Sequence, residues 1–145
     1  MADVGGLKWS AVIIGSAVDI GGTMVTSFVI GIVAAAMLLK PGELPTQLQA
    51  RLLTNAGFLT AEFVVGLSFS CLGGFVAARL AKRRERAHAA MTGAACLGLG
   101  LVSAIALPES HLPLWFRIAG YLLVLPVALL GGALARTVNL RTPAA

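Results

Sequence analysis

Two acidic residues, Asp19 and Glu62, lie well inside long apolar stretches of this chain. A charge in hydrocarbon costs a few kcal/mol or more, so such an acid faces other helices, pairs with a base, takes up a proton or marks an ion route. The chemistry this pattern offers is proton or cation binding, in a small oligomeric channel or a proton- or cation-coupled transporter. The alternative is a structural role in helix contacts, and the sequence favours it.

For each acid, the sequence also offers an explanation that needs no bound ion. Arg117 lies at a depth comparable to that of Glu62, so a structural ion pair between them is predicted as one possibility. The depth of Asp19 in the membrane depends on which part of the first apolar stretch is immersed. This stretch exceeds the bilayer thickness by about ten residues. If the segment from Ile20 onward crosses the membrane, Asp19 is interfacial, and Gly21-Gly22 would loosen the helix beside it.

Other chemical signatures are weak. Cys71 and Cys96 have no CxxC spacing, and His88 begins an apolar stretch beside a basic loop, where an interfacial polar residue is expected. The glycine pairs lack the strand and GKS/T context of a phosphate loop. No Ser/His/Asp or Cys/His grouping can be assembled at one membrane depth. We therefore predict no enzyme activity, no catalytic residue, no cofactor and no metal site.

Four long apolar stretches must position the acids, at about residues 7–39, 56–80, 87–107 and 114–135. Of 145 residues, 58% are hydrophobic and 12% are charged, and the mean hydropathy is +0.91. A spanning helix needs about 20 mostly apolar residues, because its backbone finds no hydrogen-bond partner in lipid. We predict an all-α polytopic membrane protein: one domain over residues 1–145, folded as an antiparallel bundle of four transmembrane helices.

The basic residues predict the orientation. Residues 81–86 form a short basic loop that the positive-inside rule places in the cytoplasm. Four spans then put both termini on that side, with outer loops at 40–55 and 108–113 and a short helix from Thr46 to Asn55. Basic residues in and beside this loop are Arg79, Lys82, Arg83, Arg84 and Arg86. They suit membrane lipid headgroups, and nucleic acid is not an expected partner.

Small residues recur at every fourth position of three spans. Such ridges let helix backbones approach closely in lipid, so these faces are predicted to contact other helices. The first ridge is Ala11, Gly15, Asp19, Thr23, Ser27, Gly31 and Ala35. The others are Glu62, Gly66, Ser70, Gly74 and Ala78, and His88, Thr92, Cys96, Gly100 and Ala104. Further predicted packing glycines are Gly21, Gly22, Gly73 and Gly93.

Two segments resemble a known group of proteins. Val18-Asp19-Ile20-Gly21-Gly22, and Gly73-Gly74-Phe75-Val76-Ala77-Ala78-Arg79 followed by His88 and Gly93, are similar to parts of small uncharacterised four-helix bacterial inner-membrane proteins. The resemblance implies the fold and a bacterial cytoplasmic membrane, and no activity. The favoured role is therefore an accessory or interaction subunit, in a homo-oligomer or a larger membrane complex, with the transporter or channel as the alternative.

Overall fold

A computed structural model of the chain describes residues 6–106 and 112–141. These residues form five α-helices, α1 (Trp9–Leu38), α2 (Pro45–Leu52), α3 (Ala56–Ala81), α4 (Glu85–Ala106) and α5 (Leu114–Arg141), and no strand among them. Helices α1, α3, α4 and α5 are long and apolar enough to cross a membrane. The predicted all-α class and its four candidate spans are confirmed. Most of the predicted outer loop 108–113 lies outside the described residues.

The helix boundaries differ from the predicted ones in three places. Helix α5 continues to Arg141 rather than ending near residue 135, and it contains Pro126. Helix α4 begins at Glu85, inside the predicted basic loop. The short helix α2 begins at Pro45, because a proline in the first turn gives up an N–H that has no partner within the helix.

Helix α1 is one continuous helix of 30 residues. Gly21 and Gly22 therefore do not break it, contrary to the expectation of a loosened segment. At 1.5 Å per residue it is about 45 Å long, which exceeds a hydrocarbon core of about 30 Å. The acid on α1 is consequently held by a regular helix on both sides.

Glycines bring the long helices together around the α3–α4 turn. Gly15 of α1 and Gly73 of α3 meet face to face, since a Cβ on either would lie 2.6 Å from the carbonyl oxygen of the other. Gly74 and Gly93 both approach Ala128 of α5. Both glycines of the α3–α4 hairpin thus contact α5, because the lack of side chains lets α5 approach closely.

Burial is concentrated in the half of the molecule around the α3–α4 turn, which we call the closed end. Its buried residues other than glycine are Ala11, Val12, Asp19, Ser70, Ala77, Ala78, Ala81, His88, Ala89, Thr92, Ala128 and Ala135. In the other half, around α2, the buried apolar side chains among the described residues are Leu48, Leu52 and Leu59. We call this half the open end, because its helices lie farther apart.

Three predicted packing glycines lie toward the open end and are not in close contact. A Cβ added at Gly21, Gly31 or Gly66 would meet nothing within 4 Å. The expected helix contacts at these positions are therefore absent within the described chain. Gly22 approaches the ring of Phe69, and a Cβ at Gly100 would be in ordinary contact with Tyr121, at 3.5 Å. Small residues alone did not determine where the helices touch.

Residues that are far apart in the sequence are hydrogen-bonded to one another at the closed end. The backbone N–H of Lys8 donates to Nε2 of His88 at 2.8 Å, and Nδ1 of His88 lies 3.0 Å from the carbonyl oxygen of Arg84. His88 is 0% exposed, so its ring is enclosed by protein beside the basic turn. Nδ2 of Asn139 reaches Glu85 Oε1 at 3.4 Å. The segment before α1, the α3–α4 turn and the end of α5 therefore meet at one end.

The basic loop lies at this end. Lys82 and Arg84 adopt left-handed backbone conformations, with φ values of 59° and 50°. Lys82 ends α3, where a left-handed residue commonly terminates a helix. Arg79 lies in the last turn of α3, and Arg86 lies in the first turn of α4. The five basic residues of the predicted loop region thus lie at the end of α3, in the tight turn and at the start of α4.

Candidate functional site

Each buried acid is paired with a serine on the neighbouring helix. Ser70 of α3 donates a hydrogen bond from Oγ to Asp19 Oδ1 of α1 at 3.1 Å. In the reverse sense, Ser27 of α1 donates from Oγ to Glu62 Oε2 of α3. We call these two contacts the acid–serine pairs. Each helix supplies one acid and one serine, so the pairs are reciprocal.

The spacing of the two pairs is the same on both helices. Asp19 and Ser27 are eight residues apart, as are Glu62 and Ser70. Eight residues rise about 12 Å along a helix axis, so the acids occupy two distinct levels. The deeper pair, Asp19–Ser70, lies near the middle of α3 and borders the closed end. The depth of Asp19 in the membrane stays a prediction.

By strict hydrogen-bond geometry both carboxylates have one oxygen without a partner among the described residues, and the Cys96 thiol lies beside Asp19. These oxygens are Oδ2 of Asp19 and Oε1 of Glu62, and the hydroxyls of Ser16 and Thr23 are equally unpartnered and buried. Asp19 itself is only 5% exposed. A buried polar group without a partner costs free energy, so an unexplained cluster of such groups points to a ligand or bound water.

A cavity of about 670 Å³ connects the two acids. It is open to the outside of the bundle, and its walls are residues of α1, α3, α4 and α5. Its polar lining comprises Asp19, Thr23, Glu62, Ser70, Ser103 and Arg117. This volume falls within the range of ordinary small-molecule sites, about 300–1,000 Å³. The divergence of the helices, rather than a loop, creates the space.

Arg117 lines the same cavity as Glu62, yet no ion pair joins these two described residues. The Glu62 carboxylate accepts from Ser27 instead. The predicted structural Glu62–Arg117 pair is therefore not formed. Similar depth does not ensure contact, because α3 and α5 present these side chains across an open space.

Aromatic rings form the wall of the cavity near its mouth. The Phe63 ring centroid lies 5.6 Å from that of Phe116 and 6.3 Å from that of Trp115. Phe63, Phe116 and Tyr121 all line the cavity, and the Tyr121 hydroxyl lies 3.5 Å from the Gly100 carbonyl oxygen. Apolar rings thus surround a space that has carboxylates at two levels.

Sequence reasoning identified both acids and missed several of their neighbours. Ser70 and Thr23 were visible as members of the small-residue ridges, but nothing in their spacing named a partner. Ser16 was not singled out, and Cys96 was assigned to packing although its thiol lies beside Asp19 and Ser16. The aromatic wall gave no signal, because apolar rings are common in spans.

Outside the cavity, a second polar cluster fastens α2 to α1. Arg51 Nη2 donates to the Leu38 carbonyl oxygen at 2.6 Å and to Glu43 Oε2 at 3.0 Å. The Lys40 backbone N–H also donates to Glu43 Oε2 at 3.0 Å. This N–H, followed by the Arg51 charge, lowers the pKa of the Glu43 carboxyl. The cluster gives a carbonyl oxygen at the C-terminus of α1 a hydrogen-bond donor. Glu43 therefore has a structural role, because it binds the arginine that supplies this donor.

Comparison with known proteins yields no match to a family model, to a curated protein or to a solved structure. The resemblance to small four-helix bacterial inner-membrane proteins therefore stays a prediction. The chemistry of the site has to be argued from its own residues.

Proposed function

We propose that this protein is a cation- or proton-coupled transporter of a bacterial cytoplasmic membrane, with Asp19 and Glu62 as its ion-binding groups. One observation carries the proposal: both acids line a single cavity, and each is hydrogen-bonded to a serine of the neighbouring helix rather than to a base. Buried acids of this kind are typical of ion and proton routes.

The proposed arrangement is an antiparallel bundle with both termini in the cytoplasm. Contacts between α1 and α3 support the antiparallel part, since Gly15, Asp19 and Ser27 meet Gly73, Ser70 and Glu62 in descending order along α3. The basic residues at the closed end support the orientation. In this orientation the cavity opens outward and the glycine contacts close its cytoplasmic side.

The two levels of acid suggest how a cation would pass. Glu62 lies near the mouth, where a cation arriving from outside meets it first, and Asp19 lies about two helix turns deeper. At each level the serine hydroxyl holds one carboxylate oxygen, and the ion reaches the other, buried oxygen only when the helices move. Passage to the cytoplasm requires the Gly15–Gly73 contact to separate. Such an exchange is the general behaviour of alternating-access carriers.

The transport proposal is tested by flux into proteoliposomes that contain the purified protein. Asp19→Asn and Glu62→Gln are expected to lower proton or sodium uptake by about tenfold or more, because each removes a charged ligand. Glu43→Gln is the matched control, since it removes a carboxylate outside the cavity. Equal flux in all four proteins would reject the acids as ion-binding groups.

A second role, as an accessory or interaction subunit, is favoured by the surface of α1. Large apolar side chains on the open half of this helix are exposed, among them Met24, Val25, Phe28, Ile32 and Met37, the last at 78%. Gly21 and Gly31 on the same helix have no close neighbour. A second copy or a foreign subunit packing there would give a homo-oligomer or a larger complex.

Mild-detergent purification with native mass measurement separates the two roles. A stable stoichiometric foreign subunit, or loss of assembly in Asp19→Asn and Glu62→Gln, would favour the interaction subunit. Retained assembly with lost flux would favour the transporter.

A further inference from the structure

We propose that the cavity binds an amphipathic organic cation, with its charged centre at Asp19 and its apolar body against the aromatic wall. This inference rests on the proposed function and gives it a substrate class. Three features of the described cavity support it: its size, the nature of its walls and its balance of charge.

The size of the cavity exceeds what a bare ion needs. A volume of about 670 Å³ corresponds to the space of roughly 20 water molecules at about 30 Å³ each. A proton or a metal ion requires only a few oxygens within direct reach. A space this large is of the size that holds a drug-sized organic molecule.

The walls favour an apolar body with a positive charge. Phe63, Phe116 and Tyr121 line the cavity, and the Trp115 ring packs against the first two. These rings bury alkyl or aryl groups, so they suit an organic cation better than a hydrated inorganic one.

The charges along the cavity differ with depth. Arg117 and Glu62 lie toward the mouth, whereas Asp19 lies deeper. Asp19 is 5% exposed, and its unpartnered Oδ2 is buried. A carboxylate there is stabilised by a counter-charge that the ligand itself brings, as is common for intramembrane acids. The deep level is therefore the position of the cationic centre.

The first experiment compares two ions of the same shape and opposite charge. Tetraphenylphosphonium and tetraphenylborate are titrated against the purified full chain in lipid nanodiscs, with binding followed by equilibrium dialysis. Tetraphenylphosphonium is expected to bind saturably, and about tenfold or more weakly to Asp19→Asn, whereas tetraphenylborate does not saturate. Equal binding of both ions, or unchanged binding to Asp19→Asn, would overturn the proposal.

A second pair of variants tests the cavity without touching any acid. Gly66 lines the cavity and Gly98 does not, and a Cβ at either position would meet nothing within 4 Å. Gly66→Leu is expected to fill the cavity and lower tetraphenylphosphonium affinity about tenfold or more, while Gly98→Leu preserves it. Equal affinity in the two variants would place the bound cation elsewhere. A tightly held phospholipid that tetraphenylphosphonium cannot displace would identify a lipid site and overturn the proposal.

The failures of the two proposals are distinguishable. If the protein carries protons or sodium in proteoliposomes but does not bind tetraphenylphosphonium saturably, the substrate class is wrong and the transport proposal stands. If tetraphenylphosphonium binds at the cavity but no ion crosses the membrane, the binding site stands and the transport proposal is wrong.

Discussion

At the scale of single residues, each acid is held by one hydrogen bond that leaves its other oxygen unpaired. Ser70 holds Asp19, and Ser27 holds Glu62. A serine hydroxyl carries no charge. It holds a carboxylate in position by a hydrogen bond but does not neutralise it, as an arginine would. Glu43 differs from both acids, because the Arg51 charge pairs with it.

Removing one serine tests the value of such a pair. Ser70→Ala is expected to destabilise the protein by about 1–3 kcal/mol, because it leaves a buried Asp19 oxygen without a donor. Ser68→Ala is the matched control, since the exposed Ser68 hydroxyl only donates back to the Val64 carbonyl oxygen. Unfolding in mixed micelles by added sodium dodecyl sulfate gives the two free energies. Equal losses would show that the Ser70–Asp19 contact contributes nothing specific.

The Glu43 cluster predicts a pH dependence outside the membrane. The Lys40 N–H and the Arg51 charge lower the pKa of Glu43 from its ordinary value of 4.5. A lowered pKa in the folded state means that the stabilisation is present above pH 4.5 and is lost as pH falls through the folded value. Hydrogen exchange at the Lys40 amide is therefore expected to accelerate in that acidic range. In Glu43→Gln the amide is expected to show no such transition, and a transition that persisted there would contradict this origin.

At the scale of helices, the closed end is built from backbone contacts that tolerate no added atoms. Gly73 illustrates this, because a Cβ there would lie 2.6 Å from the Gly15 carbonyl oxygen and 2.9 Å from Asp19 Cβ. Neither atom is the flexible end of a side chain. The helices would have to separate, which also moves the acid on α1.

Two glycine-to-alanine substitutions test this contact. Gly73→Ala is expected to destabilise the protein by about 1–3 kcal/mol through overpacking. Gly21→Ala meets open space and is expected to be neutral or stabilising by up to about 1 kcal/mol, since alanine is the better helix former. The same sodium dodecyl sulfate titration measures both. A neutral Gly73→Ala would mean that α1 and α3 separate readily at this level.

At the scale of the whole molecule, tight packing and open space lie at opposite ends. Gly15, Gly73, Gly74 and Gly93 make close contacts at the closed end, and Gly66 borders the cavity at the open end. A carrier that faces one side of the membrane needs this asymmetry. The direction in which the cavity faces follows from the orientation of the basic turn.

Single cysteines test that orientation in intact cells. In a background with Cys71 and Cys96 replaced by serine, Lys40→Cys is expected to react with a membrane-impermeant maleimide, because Lys40 is exposed at the open end. Lys82→Cys, equally exposed at the closed end, is expected to react only after permeabilisation. The opposite result would invert the topology and direct the cavity toward the cytoplasm.

The sequence by itself determined the four apolar helices, the basic turn and the identity of the two buried acids. These follow from local properties, since the length of an apolar run and the position of a charge need no knowledge of neighbouring helices. Only the tertiary structure decided which faces meet. A four-residue ridge turns about 40° per step around a helix, so one ridge contributed Gly15 to a tight contact and left Gly31 open. The cavity and the acid–serine pairs depend on how the helices are rotated and how far they diverge, which packing among all four determines together.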